Sequence, residues 1–143
     1  AARDGLQRSA WLAGIAIDNG GTAVAHNIGH ALASLRPLHH GRSVALGMIA
    51  TLAWNLADDD GRFDAAARAM GLAGARELPE AFERLTRAVG IKVSLADEFA
   101  GVTPDALAAQ MARPENAAMR LSNRRRIEDA DLLVFAERVL TQA

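Results

Sequence analysis

No stretch of this sequence alternates apolar and polar residues long enough to make a half-buried strand, whereas apolar residues recur at helical spacing along most of it. Leu6, Ala10, Ala13 and Ile17 fall on one helical face, and that segment stops at Asn19-Gly20-Gly21. Thr22 offers an N-cap for a second helix from about Ala23 to Ser34, with Ala25, Ile28, Leu32 and Leu35 on its lower face. Pro37 disfavours helix at the residue before it, so Arg36 to Gly41 reads as a turn. From about Arg42 to Leu56 the chain is apolar nearly all round, with Val44, Leu46, Ile49, Leu52, Ala53 and Leu56, which predicts a buried central helix. Further helices are predicted near Arg62–Met70, Pro79–Val89 and Leu95–Phe99, after Thr103-Pro104, and from about Ile127 to Leu140. The last would bury Leu132, Leu133, Phe135, Ala136, Val139 and Leu140. Trp11 and Trp54 lie on apolar faces and are predicted to be core.

These patterns predict an all-α, multi-helix bundle, one domain over residues 1–143. Aromatics are only 4%, so the core must be built from aliphatics and closely approaching backbones. A net charge of −1 with both signs spread along the chain gives no electrostatic reason to expect nucleic acid or a membrane surface as partner. No apolar stretch approaches the roughly 20 residues of a membrane helix. The lack of cysteine suits a reducing compartment such as the cytoplasm. The chain opens in mid-helix pattern, with neither an initiator Met nor a signal peptide, and is expected to be a piece of a longer protein. Arg124-Arg125-Arg126 is followed at once by acids and reads as a solvated helix start. Asp58-Asp59-Asp60 reads as an acidic cap.

All four histidines, His26, His30, His39 and His40, lie around one turn. His26 and His30 are four apart, so their imidazoles project from one helical face, and reversal at Pro37 lets His40 swing back beside them. Neutral imidazole is the commonest side-chain ligand of divalent transition metals. A lone His-x-x-x-His pair is a common helical accident. Clustering of every histidine at one bend leaves a metal site and plain surface histidines both open. Two or three imidazoles with no carboxylate nearby would still leave a catalytic metal short of ligands.

The stretch Leu12-Ala13-Gly14-Ile15-Ala16-Ile17-Asp18-Asn19-Gly20-Gly21-Thr22, then His26-x-x-Gly29-His30-Ala31-Leu32-Ala33, then His40-Gly41-x-x-x-Ala45-Leu46-Gly47, resembles the iron-containing alcohol dehydrogenase family. Weaker likeness continues at Leu78–Val89-Gly90-Ile91 and from Ser122 to Leu132. The resemblance implies that His26 and His40 are two histidine ligands of the metal. It implies that His30 is the additional histidine beside the metal, near substrate and nicotinamide, able to relay a proton. His39 is given no role beyond lining the pocket. The implied reaction interconverts an alcohol with an aldehyde or ketone, using a divalent metal (Fe²⁺ or Zn²⁺) and hydride transfer to NAD or NADP.

Two further ligands, an Asp and a His four residues later, would lie upstream of Ala1. So would the glycine-rich segment for the dinucleotide phosphates, since no G-x-G-x-x-G occurs here. The resemblance therefore implies a partner in the protein's own N-terminal nucleotide-binding half, and a homo-oligomer. The 143-residue chain alone should be inactive, and with an exposed apolar cleft wall it should aggregate.

Two other readings compete. Gly29-His30-Ala31-Leu32 and His40-Gly41-Arg42-Ser43-Val44-Ala45-Leu46-Gly47-Met48 also resemble dehydroquinate synthase, a sister enzyme as is glycerol dehydrogenase, although Arg42 stands where the synthase carries Glu. The other alternative is a free-standing helical interaction module without enzymatic activity.

Overall fold

The computed structural model describes residues 1–143. Eight α-helices and no strand make up the chain: α1 (Ala2–Gly20), α2 (Ala23–Leu35), α3 (His40–Leu56), α4 (Arg62–Ala69), α5 (Leu78–Ala88), α6 (Pro104–Met111), α7 (Ala117–Leu121) and α8 (Asp129–Leu140). Short 3-10 turns at Ala75–Glu77 and Pro114–Asn116 lead into α5 and α7. No helix is long and apolar enough to cross a membrane.

The core forms where α2, α3, α6 and α8 meet. It contains Val24, Ile28 and Leu32 from α2, Leu46 and Ala50 from α3, Leu107 and Met111 from α6, and Leu132, Phe135, Ala136 and Val139 from α8. Burial of these apolar side chains, worth about 1.5–3 kcal/mol for each Val, Leu, Ile, Phe or Met relative to exposure, is the main force holding the bundle. Trp54 meets the edge of Phe135 with ring centres 5.0 Å apart. A smaller cluster, Leu52, Ala67 and Leu78, packs α4 and α5 beside the far half of α3.

Two helix starts are capped by side chains other than their N-cap residue, one of them from afar. Thr22 makes no side-chain cap at α2. Instead the Ala23 N–H donates to Ser122 Oγ (3.2 Å) and the Val24 N–H to Asn123 Oδ1 (3.4 Å), so the segment before α8 holds the start of α2. Asp59 behaves as the acidic run predicts, accepting from the backbone N–H groups of Phe63 (3.0 Å) and Asp64 (3.3 Å) at the start of α4.

Four sequence expectations need correction. Leu95–Phe99 is not a helix but part of a strap, residues 91–102, anchored by buried Val93, Leu95 and Phe99. The Lys92 and Ser94 carbonyls accept from Arg42 instead of from a following turn. Trp11 is not core: it is 68% exposed, and no residue of α1 is buried. Leu133 stands outside the buried stripe of α8, which begins at Asp129, where the Glu128 N–H donates to Asp131 Oδ2 (2.9 Å). The arginine run is more than a solvated helix start. Arg124 pairs with Asp60 and Arg126 with Glu128, but the Arg125 guanidinium lies 3.7 Å from the centre of the Trp54 ring and donates to the Trp54 carbonyl.

Candidate metal centre

The geometry of the histidines follows from how closely α2 and α3 approach. A Cβ on Gly47 would lie 2.4 Å from the Ala25 carbonyl oxygen, and one on Gly29 would lie 2.9 Å from Val44 Cγ2. Only the missing side chains let the two backbones touch there. Asn27, fully buried on the opposite side of α2, donates from Nδ2 to the Met111 carbonyl (2.9 Å) and the Asn116 carbonyl (3.3 Å). That pins α2 to the chain beyond α6 and fixes which face turns toward α3.

On the other face, His26 and His30 stand one turn apart, and His40 is the first residue of α3. The ring centres of His26 and His40 are 5.4 Å apart, with planes inclined at 57°. Those of His30 and His40 are 5.6 Å apart and nearly edge-on, at 75°. Two imidazoles bound to one tetrahedral ion through metal–nitrogen bonds of about 2.0–2.1 Å place their ring centres roughly 5 Å apart. The His26–His40 separation is of that order.

His26 is half-buried, whereas His30 and His40 are exposed. Burial, followed by the neighbouring His40 and then His30, holds the His26 imidazole below its ordinary pKa, against the opposing effect of its contact with the Thr22 backbone. A neutral ring with a free lone pair is the form that binds a metal. No group of three His, Asp or Glu side chains is arranged to hold an ion.

The structure brings His26, His30 and His40 together and leaves His39 apart. His39 is exposed and lines a separate cavity of about 510 Å³ with Gly41, Arg42, Gly90, Ile91 and Lys92.

Sequence reasoning missed Arg42. Its side chain, 17% exposed, donates from Nε to the Lys92 carbonyl (2.8 Å), from Nη1 to Glu98 Oε1 (2.9 Å) and from Nη2 to the Ser94 carbonyl (2.8 Å). Lys92 Nζ reaches Asp97 (2.9 Å) and Glu98 (3.3 Å). The hydrogen bond from Arg42 is the chief cause that brings the Glu98 carboxyl down to about 2. About fifty residues separate the two sides of this clasp, and no local pattern announces such a contact.

Residues 1–139 match the sequence pattern of the "Fe-containing alcohol dehydrogenase family, C-terminal". The chain belongs to the iron-containing alcohol dehydrogenase family. Among curated relatives, a "Methanol:N,N-dimethyl-4-nitrosoaniline oxidoreductase" of Mycobacterium sp. (strain DSM 3803 / JC1) is 31% identical over 112 residues, covering 73% of this chain and 26% of the relative. A protein of the same description from Rhodococcus erythropolis is 30% identical over 115 residues, 75% of this chain and 26% of the relative. Another, from Amycolatopsis methanolica, is 31% identical over 110 residues, 72% and 25%. The chain thus spans about a quarter of the length of these relatives. No solved structure matches it. Members of this family are oxidoreductases, and the all-α fold is that expected of its C-terminal domain.

Proposed function

We propose that the complete protein is a metal-dependent, NAD(P)-linked alcohol dehydrogenase, interconverting an alcohol with its aldehyde or ketone, and that this chain is its helical metal-binding half. The observation that carries this reading is the 5.4 Å separation of the His26 and His40 rings at the mouth of one helical hairpin. A divalent ion, Fe²⁺ or Zn²⁺, would supply Lewis acidity toward a substrate oxygen. His26 and His40 would hold two of its coordination positions, and the N-terminal half would supply the other donors.

His30 sits beside His40 and is exposed, so its ring can accept the hydroxyl proton as the alcohol is oxidised and return it in the reverse direction. When bound, the nicotinamide would supply the acceptor for the hydride released from the alcohol carbon, and its site would belong to the N-terminal half.

Helix α1 supports the presence of that half. Ala10 to Ile17 is an unbroken run of apolar residues and glycine, a pattern that belongs inside a bundle, yet every residue of α1 is exposed. Leu6, Trp11, Leu12, Ile15 and Ile17 present apolar surface on several sides, suited to cover by upstream chain or by a second copy in a homo-oligomer. The match to the family over residues 1–139 favours a dehydrogenase over the synthase reading and over an interaction module.

The relatives' names make methanol the first alcohol to test, with NAD, NADP and N,N-dimethyl-4-nitrosoaniline as separate oxidants. The assay follows oxidation of primary alcohols by the protein joined to its upstream half and loaded with Fe²⁺ or Zn²⁺. His26→Ala and His40→Ala should each lose both bound metal and turnover. His30→Gln should keep the metal and lose kcat with a changed pH profile. Retention of stoichiometric metal by the His26→Ala, His40→Ala double variant would remove the reading.

A further inference from the structure

His40 opens α3, and the first turn of a helix is where backbone hydrogen bonds are fewest and fraying begins. His39 provides no side-chain cap there, and Gly41 contributes no packing. Besides the ordinary backbone bonding of the helix, the turn is held locally by the Ser43 hydroxyl donating to the His40 carbonyl (2.8 Å) and the Ser43 N–H donating to the His39 carbonyl (3.0 Å). Gly29 packed against Val44 holds this turn to α2 on one side, which leaves its other side to be fastened.

Arg42 supplies what is missing. Its guanidinium is spent on three acceptors of the 91–102 strap: two backbone carbonyls and Glu98. The strap is itself anchored, because Val93, Leu95 and Phe99 are buried in the main core. A planar fork with three engaged donors resists rotation as a single contact does not. We propose that Arg42 is a positioning residue for His40: through its clasp on Lys92, Ser94 and Glu98 it fastens the first turn of α3 to the core and so sets the spacing of the His26 and His40 rings. This rests on the reading of His40 as a metal ligand only for its consequence, not for the clasp itself.

The test compares the parent protein with Arg42→Ala, Arg42→Lys and Glu98→Gln, using Arg124→Ala as a control that removes an equally visible ion pair away from the hairpin. Amide hydrogen exchange at Ser43 and Val44, nuclear Overhauser contacts between the His26 and His40 rings, thermal midpoint and Zn²⁺ affinity are measured on each. Arg42→Ala should speed exchange at Ser43 and Val44 at least tenfold, erase the ring contact and weaken Zn²⁺ binding by about tenfold, the low end for loss of a supporting residue around a metal ligand. Core amides of α8 should keep their protection. Arg42→Lys, with one donor group in place of the fork, should recover only part of each effect, and Glu98→Gln should lie nearer the parent.

Unchanged exchange and ring contact in Arg42→Ala would overturn the proposal. So would equal losses in Arg124→Ala, which would mark the effect as general destabilisation. A parent protein that binds no Zn²⁺ would strike at the metal reading alone, while exchange and ring contact would still decide the role of Arg42.

Discussion

Helices α1 and α3 are similar in length, 19 and 17 residues, and each carries a stretch that is apolar on nearly every side. Around α3 the chain folds completely: Leu46, Ala50, Thr51 and Leu52 are buried, glycine contact welds it to α2, and the Trp54 ring meets Phe135. Around α1 nothing folds, and Leu12 remains 58% exposed. Apolar stretches with opposite burial teach that an apolar pattern records how much cover a helix needs, and says nothing of which part of a protein provides it.

The contrast can be broken at its strong end first. Leu32→Ala, at a fully buried site in α2, should cost about 2–5 kcal/mol in urea unfolding. Gly47→Ala should cost about 1–3 kcal/mol, because the new methyl meets the Ala25 carbonyl, and should also separate the His26 and His40 rings, visible as loss of their nuclear Overhauser contact.

A smaller effect comes from pH. The folded protein holds the His26 pKa below its ordinary value of 6.5, so the unfolded chain binds the proton more readily. That contribution to stability is full above pH 6.5 and falls as the pH drops below it, and denaturation midpoints for His26→Gln should lack this limb. Glu98 adds a separate loss at lower pH, from its ordinary 4.5 down to about 2, absent in Glu98→Gln. At the weak end, Leu12→Ala in α1 should change stability by no more than about 0.5 kcal/mol in the 143-residue chain. A cost like that of Leu32→Ala would show that α1 is covered in solution, and sedimentation would then reveal self-association.

Helical periodicity made α2, α3, α4, α5, α6 and α8 legible within a few residues, because each has one face that must be buried and a glycine, proline or capping residue at an end. It failed at Leu95–Phe99, where three apolar anchors at irregular spacing imitate a short helix but serve a strap whose carbonyls face Arg42. It failed again at Trp11, which lies on an apolar helical face yet is exposed. The grouping of His26, His30 and His40 could be read from spacing because the three lie on adjoining arms of one hairpin. The Ser122 and Asn123 caps on α2 and the Arg42 clasp join segments far apart in the chain, and single residue types carry no signal of such partners.

The touching backbones at Gly47 and Ala25 make the opening between two imidazoles depend on main-chain contact as well as on the Arg42 clasp. Under the proposed metal reading, substitutions that leave every donor atom in place, yet widen or narrow that aperture, would shift preference among cations of different radius. Ion selectivity in such a hairpin would then be heritable at positions that never touch the ion.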